Sequence, residues 1–287
     1  MDWIITALGA ALVVVVLWDI FHTLWHTSGQ GRIAHFVLMC VWRLTALIGR
    51  RGRRLSGPLA MVGVIGTWGG LIVLGWTLIY YPHMPEDVSY EVGLDPFRAG
   101  QVIDALYMSL VTLATLGYGD IVPTAPWLRV VSPVQALIGF GLLTAAVSWV
   151  LQVYPALSRR RVLALRIDMI ERNGFSDLLG ELRVDTVTRT LDEIATGLAQ
   201  VRIDLDQYAE TYYFRDGGQH STLAAKLGHV LSLSERASLA DSADIQYSAS
   251  VLDDAVHKLA ELLDRRFLKT GGSVDVVLNA YAEQQQT

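Results

Sequence analysis

The residue types best suited to binding chemistry in this chain are concentrated in nine positions, Thr112 to Asp120, with the sequence Thr-Leu-Ala-Thr-Leu-Gly-Tyr-Gly-Asp. Gly117 and Gly119 can adopt left-handed backbone dihedrals without the steric cost that a Cβ atom imposes. A backbone that alternates between ordinary and left-handed dihedrals aims successive carbonyl oxygens at one axis. Carbonyl oxygens are strong dipoles without full charge, so a row of them can replace the water around a cation and still release it.

The segments that would position this loop are apolar. The chain has 287 residues, of which 52% are hydrophobic and 18% are charged, a balance typical of a membrane protein. Four apolar segments stand out, at residues 3–25, 33–48, 58–81 and 127–157. A polar, acidic stretch follows the third segment, and an amphipathic helix is predicted over residues 102–114. The loop therefore lies between a short helix and a spanning helix, which is a re-entrant arrangement.

In this setting the loop resembles the selectivity filter of tetrameric potassium channels with one pore loop per chain. Leu116 stands where valine or isoleucine is usual, and the similarity extends from Thr112 to Asp120. It covers about residues 58–157. The resemblance implies an all-α membrane fold with a pore domain of outer helix, pore helix, filter and inner helix. Because the chain has one filter, it also implies a homotetramer.

The resemblance further implies roles for individual residues. The expected K⁺ ligands are the carbonyl oxygens of Thr115, Leu116, Gly117 and Tyr118. Gly119 completes the filter. The side chains of Leu116 and Tyr118 would then point away from the axis. No organic cofactor is indicated.

Support for the filter is expected from Thr112, Tyr107 and Asp120, with the Tyr107 hydroxyl donating a hydrogen bond to Asp120. Met108 and Val111 depart from the family, because many relatives carry a second aromatic residue and some carry an acidic partner at these positions. The bracing of Asp120 would therefore rest on Tyr107.

Two glycines of the fourth apolar segment are candidate gating hinges. Gly139 lies where the voltage-gated branch of the family carries its hinge glycine, and Gly141 follows two residues later. Glycine costs about 1 kcal/mol in a helix interior, so bending there is cheap. Close packing against another helix is the alternative explanation.

Arginine clusters indicate the orientation of the chain in the membrane. They precede the third segment and follow the fourth, at Arg50, Arg51, Arg53, Arg54 and Arg159, Arg160, Arg161. By the positive-inside rule both clusters are cytoplasmic, so the filter opens outward. The second segment allows two interpretations. We favour a tilted span, which gives four crossings; the alternative is an interfacial helix, which gives three crossings and an external N-terminus.

The first segment contains three ionisable residues on one helix face, Asp19, His22 and His26. Ionisable groups within a membrane segment are functional candidates. Three interpretations remain open: a buried structural pair of Asp19 with His22, a proton sensor that titrates near neutral pH, and a metal site.

Residues 159–287 carry the net negative charge and contain apolar residues at alternating spacings of four and three. The pattern predicts a helical bundle or a coiled coil between subunits. Its first stripe runs from Val187 to Tyr212 and its second from Leu252 to Leu263, with an N-cap predicted at Ser221. We therefore expect three regions: N-terminal membrane helices at 1–57, a pore domain at 58–158 and a cytoplasmic helical domain at 159–287.

Together these features predict a potassium-selective, multi-pass channel of the cell membrane, with further copies of itself and the lipid bilayer as its expected partners. A channel that also passes Na⁺ is one alternative, and a membrane-anchored interaction protein with a closed pore is another. We expect no nucleic-acid partner, and no catalytic triad, metalloprotease motif or phosphate-binding loop indicates an enzyme. The gating stimulus and any regulatory ligand are left open.

Overall fold

The computed structural model describes residues 2–24, 31–47, 55–92, 100–215 and 222–286. The fold is all-α, as expected, apart from two short strands. The helices are α1 (Asp2–Leu24), α2 (Arg32–Leu47), α3 (Ser56–Tyr80), α4 (Gln101–Leu113), α5 (Pro126–Arg172), α6 (Val184–Gln207), α7 (Leu223–Ser238), α8 (Ala243–Leu263) and α9 (Val274–Gln286). The strands β1 (Val88–Tyr90) and β2 (Ile121–Pro123) pair antiparallel.

Among the described residues, three helices are long and apolar enough to cross a membrane, namely α1, α3 and α5. They contain 23, 25 and 47 residues, and about 20 suffice to span the hydrocarbon core. Helix α2 has 16 residues and is shorter than a span. Helix α5 continues through Pro133 and Pro155 and well beyond residue 157, where we expected the fourth segment to end.

Helices α1 and α3 pack antiparallel in the first of two compact units, which comprises Met1–Leu44 and Pro58–Leu151. A Cβ atom on Gly9 would lie 2.4 Å from the carbonyl oxygen of Gly75, so glycines let the two backbones approach closely. Near the start of α1, Thr6 contacts His83 beyond the end of α3, whereas Asp19 near the end of α1 contacts Trp68.

This antiparallel packing decides between the two interpretations of the second apolar segment. If α2 crossed the membrane between α1 and α3, those two helices would run in the same direction. The expectation of four crossings is therefore wrong, and the alternative with an interfacial α2 fits the contacts. The start of α1 and the end of α3 lie on the same side, where the rings of Trp3, His83 and Trp127 contact one another.

Asp19 caps helix α2 from within α1. Its carboxylate accepts hydrogen bonds from the backbone N–H groups of Ile33 (2.9 Å) and Ala34 (3.2 Å), and from the indole N–H of Trp68 (2.9 Å). The first N–H groups of a helix have no partner within it, and a negative charge there is favoured by the helix dipole. Asp19 thus joins α2 to both α1 and α3.

The contacts of the ionisable residues in the first segment are directed at different partners. The carboxylate of Asp19 is directed at α2 and Trp68, whereas a ring nitrogen of His22 lies 3.2 Å from the carbonyl oxygen of Trp18. Asp19 acts as a helix cap, and its pairing with His22, a proton sensor and a metal site stay predictions. His26 lies outside the described residues.

The second compact unit comprises Thr45–Gly57 and Gln152–Thr287. Its core is formed by the two predicted stripes, which are buried within one chain: Val187, Leu191, Ile194, Leu198, Val201 and Leu205 on α6, and Leu252, Val256, Leu259 and Leu263 on α8. The bundle is therefore the alternative that the structure favours over a coiled coil between subunits. The stripe on α6 is shorter than expected, because the helix ends before Tyr208 and Tyr212.

The end of α5 belongs to this bundle. Lys226 of α7 donates to Asp168 (2.8 Å) and Glu171 (2.6 Å) of α5. Helix α7 begins after Thr222, whose hydroxyl accepts from the N–H of Ala225 (3.3 Å); the expected cap Ser221 lies outside the described residues. Within the two units, α1 groups with the pore helices and the start of α3 groups with the bundle, and the division into three regions stays a prediction.

We predict that Asp19→Ala destabilises the protein, because it leaves one buried and one part-buried backbone N–H group and a buried indole N–H without their acceptor. Each such donor costs about 1–3 kcal/mol. Thermal unfolding in detergent, followed by tryptophan fluorescence, measures the effect. Asp2→Ala on the same helix is the matched control, since Asp2 is exposed. Equal melting temperatures for the two variants would contradict the capping role.

Candidate functional site

The candidate loop begins at the end of a short helix that holds its first residues in place. Helix α4 ends at Leu113, and the chain stays hydrogen-bonded to the last turn. The N–H of Thr115 donates to the carbonyl oxygen of Thr112 (3.0 Å), and the N–H of Leu116 donates to that of Val111 (2.9 Å). The partial negative charge at the C-terminus of a helix favours a cation nearby. The position of α4 therefore determines where the loop starts.

The backbone of the loop alternates in handedness. Positive φ angles occur at Thr115 (58°), Gly117 (56°) and Gly119 (83°), whereas Leu116 and Tyr118 lie between them with ordinary values. The left-handed dihedrals expected at the two glycines are present. Thr115 was not expected to share them, because a residue with a branched side chain rarely adopts a positive φ. A strained residue of this kind is typical of functional sites.

The side chains of the loop are open to their surroundings within one chain. Leu116 is 55% exposed and Tyr118 is 67% exposed. For large apolar and aromatic side chains in a membrane protein, such exposure indicates contact with lipid or with further protein. We expected both side chains to pack behind the filter, and within one chain that packing is absent among the described residues.

Asp120 is held by one strong side-chain contact. The Tyr107 hydroxyl of α4 donates to the Asp120 carboxylate at 2.5 Å. This is the hydrogen bond that the resemblance implied. Met108 is buried on the same helix and has no hydroxyl to add a second bond. The end of the loop is thus joined to the helix that precedes it.

A small sheet, which we had not predicted, frames the exit of the loop. Strand β2 directly follows Asp120 and pairs with β1 from the polar stretch. The N–H of Glu91 donates to the carbonyl oxygen of Asp120 (2.8 Å). Strands of three residues carry too little alternation to be detected from sequence.

The sheet is in turn fastened to α4. The Tyr90 hydroxyl of β1 donates to the carboxylate of Asp104 (3.1 Å). Burial and the neighbouring Asp104 carboxylate raise the pKa of Tyr90 to about 12, so the hydroxyl keeps its proton at neutral pH. Helix α4 therefore braces the loop at both ends, through Tyr107 on one side and through Asp104 and the sheet on the other.

Helix α5 touches the end of α4 at Gly139. A Cβ atom there would lie 2.0 Å from the carbonyl oxygen of Leu113, so close packing accounts for this glycine. A Cβ atom on Gly141 would meet no described atom within 4 Å. Helix α5 is continuous through both positions. Packing within the described residues therefore explains Gly139 but not Gly141, and the hinge role stays a prediction.

Comparison with known proteins agrees with this geometry. Residues 67–154 match a family model described as an ion channel. Two-pore potassium channel 5 of Arabidopsis thaliana is 43% identical over 60 residues, which is 20% of this chain and 15% of the relative. Two pore potassium channel c of Oryza sativa subsp. japonica is 38% identical over 91 residues, 30% of this chain and 19% of the relative.

A bacterial relative extends the match beyond the loop region. The uncharacterized membrane protein YdjJ of Bacillus subtilis (strain 168) is 26% identical over 155 residues, 53% of this chain and 44% of the relative. The chain thus spans less than half the length of each of these relatives. No solved structure matches the chain significantly.

These matches confirm the resemblance to potassium channels for the part of the chain that contains the loop. The matched family and relatives are ion channels, in agreement with the expectation that the sequence does not encode an enzyme. The apolar helices and the channel domain identify a membrane protein. The matched residues, 67–154, include α4, the loop and the first part of α5.

We predict that Tyr107→Phe makes the ion current decay faster while the protein still assembles. The variant removes only the hydroxyl that holds Asp120, so the loop has one less restraint against collapse. Hydrogen bonds to ionised groups are among the strong ones, and we expect the decay to accelerate about fivefold. Currents in planar bilayers measure the decay. Tyr247→Phe in α8 is the control, because Tyr247 is 71% exposed. A decay rate equal to that of the control would contradict the brace.

Proposed function

We propose that four copies of this chain form a potassium-selective channel that conducts passively and is gated through α5 and the helical bundle. The observation that carries the proposal is the alternation of positive φ at Thr115, Gly117 and Gly119 in a loop at the C-terminus of a short helix. This backbone presents successive carbonyl oxygens to a dehydrated K⁺ ion. The proposed ligands are the carbonyl oxygens of Thr115, Leu116, Gly117 and Tyr118.

Four copies follow from the supply of ligands. One loop offers one quadrant of each oxygen ring, and the sequence contains one such loop. The exposure of Leu116 and Tyr118 within one chain supports packing against neighbouring copies. A row of apolar side chains on α5 is exposed as well, including Leu137, Phe140, Leu143 and Val147.

The proposed channel lies in the cell membrane. Its loop opens to the outside, and its helical bundle lies in the cytoplasm. Three crossings with an external start of α1 agree with the antiparallel packing of α1 and α3. The arginines Arg159, Arg160 and Arg161 follow the apolar part of α5 and belong on the cytoplasmic side. The cluster at residues 50–54 has the same expected location but lies outside the described residues.

Gating is proposed to act through a coupling segment, residues 209–214, in the second unit. Arg160 of α5 is buried, and its guanidinium donates to the carbonyl oxygens of Thr211 (2.9 Å) and Phe214 (2.7 Å). The buried hydroxyl of Ser56, at the start of α3, donates to the carbonyl oxygen of Tyr213 (2.9 Å). The segment therefore holds the ends of the outer and inner helices together.

The other face of the coupling segment contacts the bundle. The ring of Tyr212 stacks on Phe267 with centroids 4.1 Å apart, and its hydroxyl donates to Gln284 (2.7 Å) of α9. A Cβ atom on Gly57 would lie 2.4 Å from the ring of Phe214, so the start of α3 fits tightly here. A rearrangement of the bundle would thus move the coupling segment and, with it, the start of α3 and the part of α5 that bonds to it.

We predict that Gly117→Ala lowers potassium flux at least tenfold without preventing assembly. An L-residue with a Cβ atom is destabilised by about 1–2 kcal/mol at a left-handed position, and the loop relaxes away from the alternating backbone. Flux into liposomes is measured with K⁺ and Na⁺ in competition. Gly228→Ala in α7 is the matched control, since its Cβ would meet no described atom within 4 Å.

The same flux assay tests the rival functions. Wild-type flux that does not distinguish K⁺ from Na⁺ would support the non-selective channel. No flux from an intact tetramer at any pH, voltage or calcium concentration would contradict the proposal and support the interaction protein with a closed pore.

We predict that Arg160→Met shifts the equilibrium between open and closed states about tenfold while leaving the reversal potential unchanged. Each hydrogen bond from a charged donor contributes about 1.5–3 kcal/mol, and the variant loses two to the coupling segment. Single-channel recording measures open probability and selectivity together. Arg236→Met is the matched control, because Arg236 pairs with Asp177 at the surface. Gating identical to wild type would contradict the coupling role.

A further inference from the structure

A buried polar network joins three helices behind the candidate loop. Its centre is Gln135 of α5, which is fully buried in a largely apolar helix. Its side-chain N–H₂ group donates to the carbonyl oxygen and the hydroxyl of Ser109 in α4, both at 2.9 Å. Its side-chain oxygen accepts from the hydroxyl of Tyr80 in α3 (2.8 Å). The side chain of Gln135 on the inner helix α5 thus forms hydrogen bonds with both the outer helix α3 and the pore helix α4.

The network is completed by bonds among its other members. The Ser109 hydroxyl donates to the carbonyl oxygen of Val73 in α3 (2.9 Å), and the Tyr80 hydroxyl lies 3.2 Å from the hydroxyl of Ser132 in α5. Ser109 is fully buried and Tyr80 is 1% exposed. Polar groups buried in a membrane protein are costly unless they are paired, so such a network specifies one arrangement of the helices.

The position of Gln135 relates the network to the loop. On α5, Gly139 follows Gln135 by one helical turn. On α4, Leu113 follows Ser109 by one helical turn. Gln135 bonds to Ser109 and Gly139 packs against Leu113, so the two helices are in contact over this turn. The last turn of α4 in turn holds the N–H groups of Thr115 and Leu116. A rotation or shift of α4 about its axis would therefore move the first carbonyl oxygens of the loop.

We propose that Gln135 is a positioning residue for the selectivity filter. It fixes α4 against α3 and α5 and thereby sets the alignment of the Thr115 and Leu116 carbonyl oxygens. It acts on ion selection through Ser109 and has no contact with the ion. This inference rests on the proposed function, because it concerns the selectivity of the same loop.

The decisive variant is Gln135→Leu, which keeps a similar volume but removes every hydrogen bond of the side chain. The K⁺/Na⁺ permeability ratio is measured from reversal potentials, and the decay of the K⁺ current is measured in the same bilayers. We expect the ratio to fall about tenfold or the decay to accelerate about tenfold, with the tetramer intact, since misaligned carbonyl oxygens no longer match a K⁺ ion. Gln152→Leu, on the same helix, is the matched control, because Gln152 bonds to Tyr208 in the second unit.

Two further variants decide the question if Gln135→Leu does not assemble. Ser109→Ala and Tyr80→Phe each remove one hydroxyl with little change of volume, and each should shift the permeability ratio in the same direction by a smaller factor. The double variant should shift it by less than the product of the two single effects, because both hydroxyls act through Gln135.

The outcomes separate this inference from the proposed function. A selective wild type together with a Gln135→Leu variant of equal selectivity and equal decay rate would overturn the positioning role alone. If that variant does not assemble, Ser109→Ala and Tyr80→Phe variants with the wild-type permeability ratio would do the same. A wild type that conducts without selectivity, or does not conduct, would overturn the proposed function and with it the role of Gln135.

Discussion

A loop backbone that alternates in handedness is the constraint on which the rest of the first unit depends. Such a backbone belongs to no helix or strand, and at Thr115 it places a residue with a Cβ atom in a region that glycine normally occupies. Local hydrogen bonds from the last turn of α4 hold only the first residues of the loop, Thr115 and Leu116. The loop conformation persists because the surrounding structure restrains it. The helices of the unit differ in how directly they provide this restraint.

Helix α4 is the immediate support, and it is fastened on several sides. Its last turn bonds to the first residues of the loop, Tyr107 holds Asp120, and Asp104 holds the small sheet that continues from the loop. Behind it, Gln135 replaces the apolar packing expected in a membrane helix with hydrogen bonds to fixed atoms. Helices that meet through apolar contacts can slide past one another, whereas hydrogen bonds fix them in one register. The proposed filter requires a fixed register.

The parts of the fold that could be predicted from sequence are those whose signals are local. The glycines of the loop, the presence of long apolar helices on both sides of it and the bond from Tyr107 to Asp120 all depend on residues close in the chain or on one family pattern. The direction of α1 relative to α3 was predicted wrongly, because its evidence is the contact of Asp19 with Trp68, far apart in sequence. The apolar stripes on α6 and α8 predicted helices correctly, but the same spacing suits a bundle and a coiled coil alike.

Residues of the polar network were missed for a related reason. Gln135 is a polar residue inside an apolar run, and that anomaly is a usable signal. Its partners lie in two other helices, so the sequence alone does not identify what it holds. Arg160 was assigned to a topological cluster by its charge, although its guanidinium is buried against carbonyl oxygens of the coupling segment.

The presence of one loop per chain has a genetic consequence. In the proposed assembly every ring of oxygens draws on all copies, so one altered loop disturbs each ring. In a cell that makes normal and altered chains in equal amounts, random mixing leaves about one assembly in sixteen with four normal loops. Damage to this loop would therefore be dominant, whereas a change that prevents a chain from assembling would remove only its own copies.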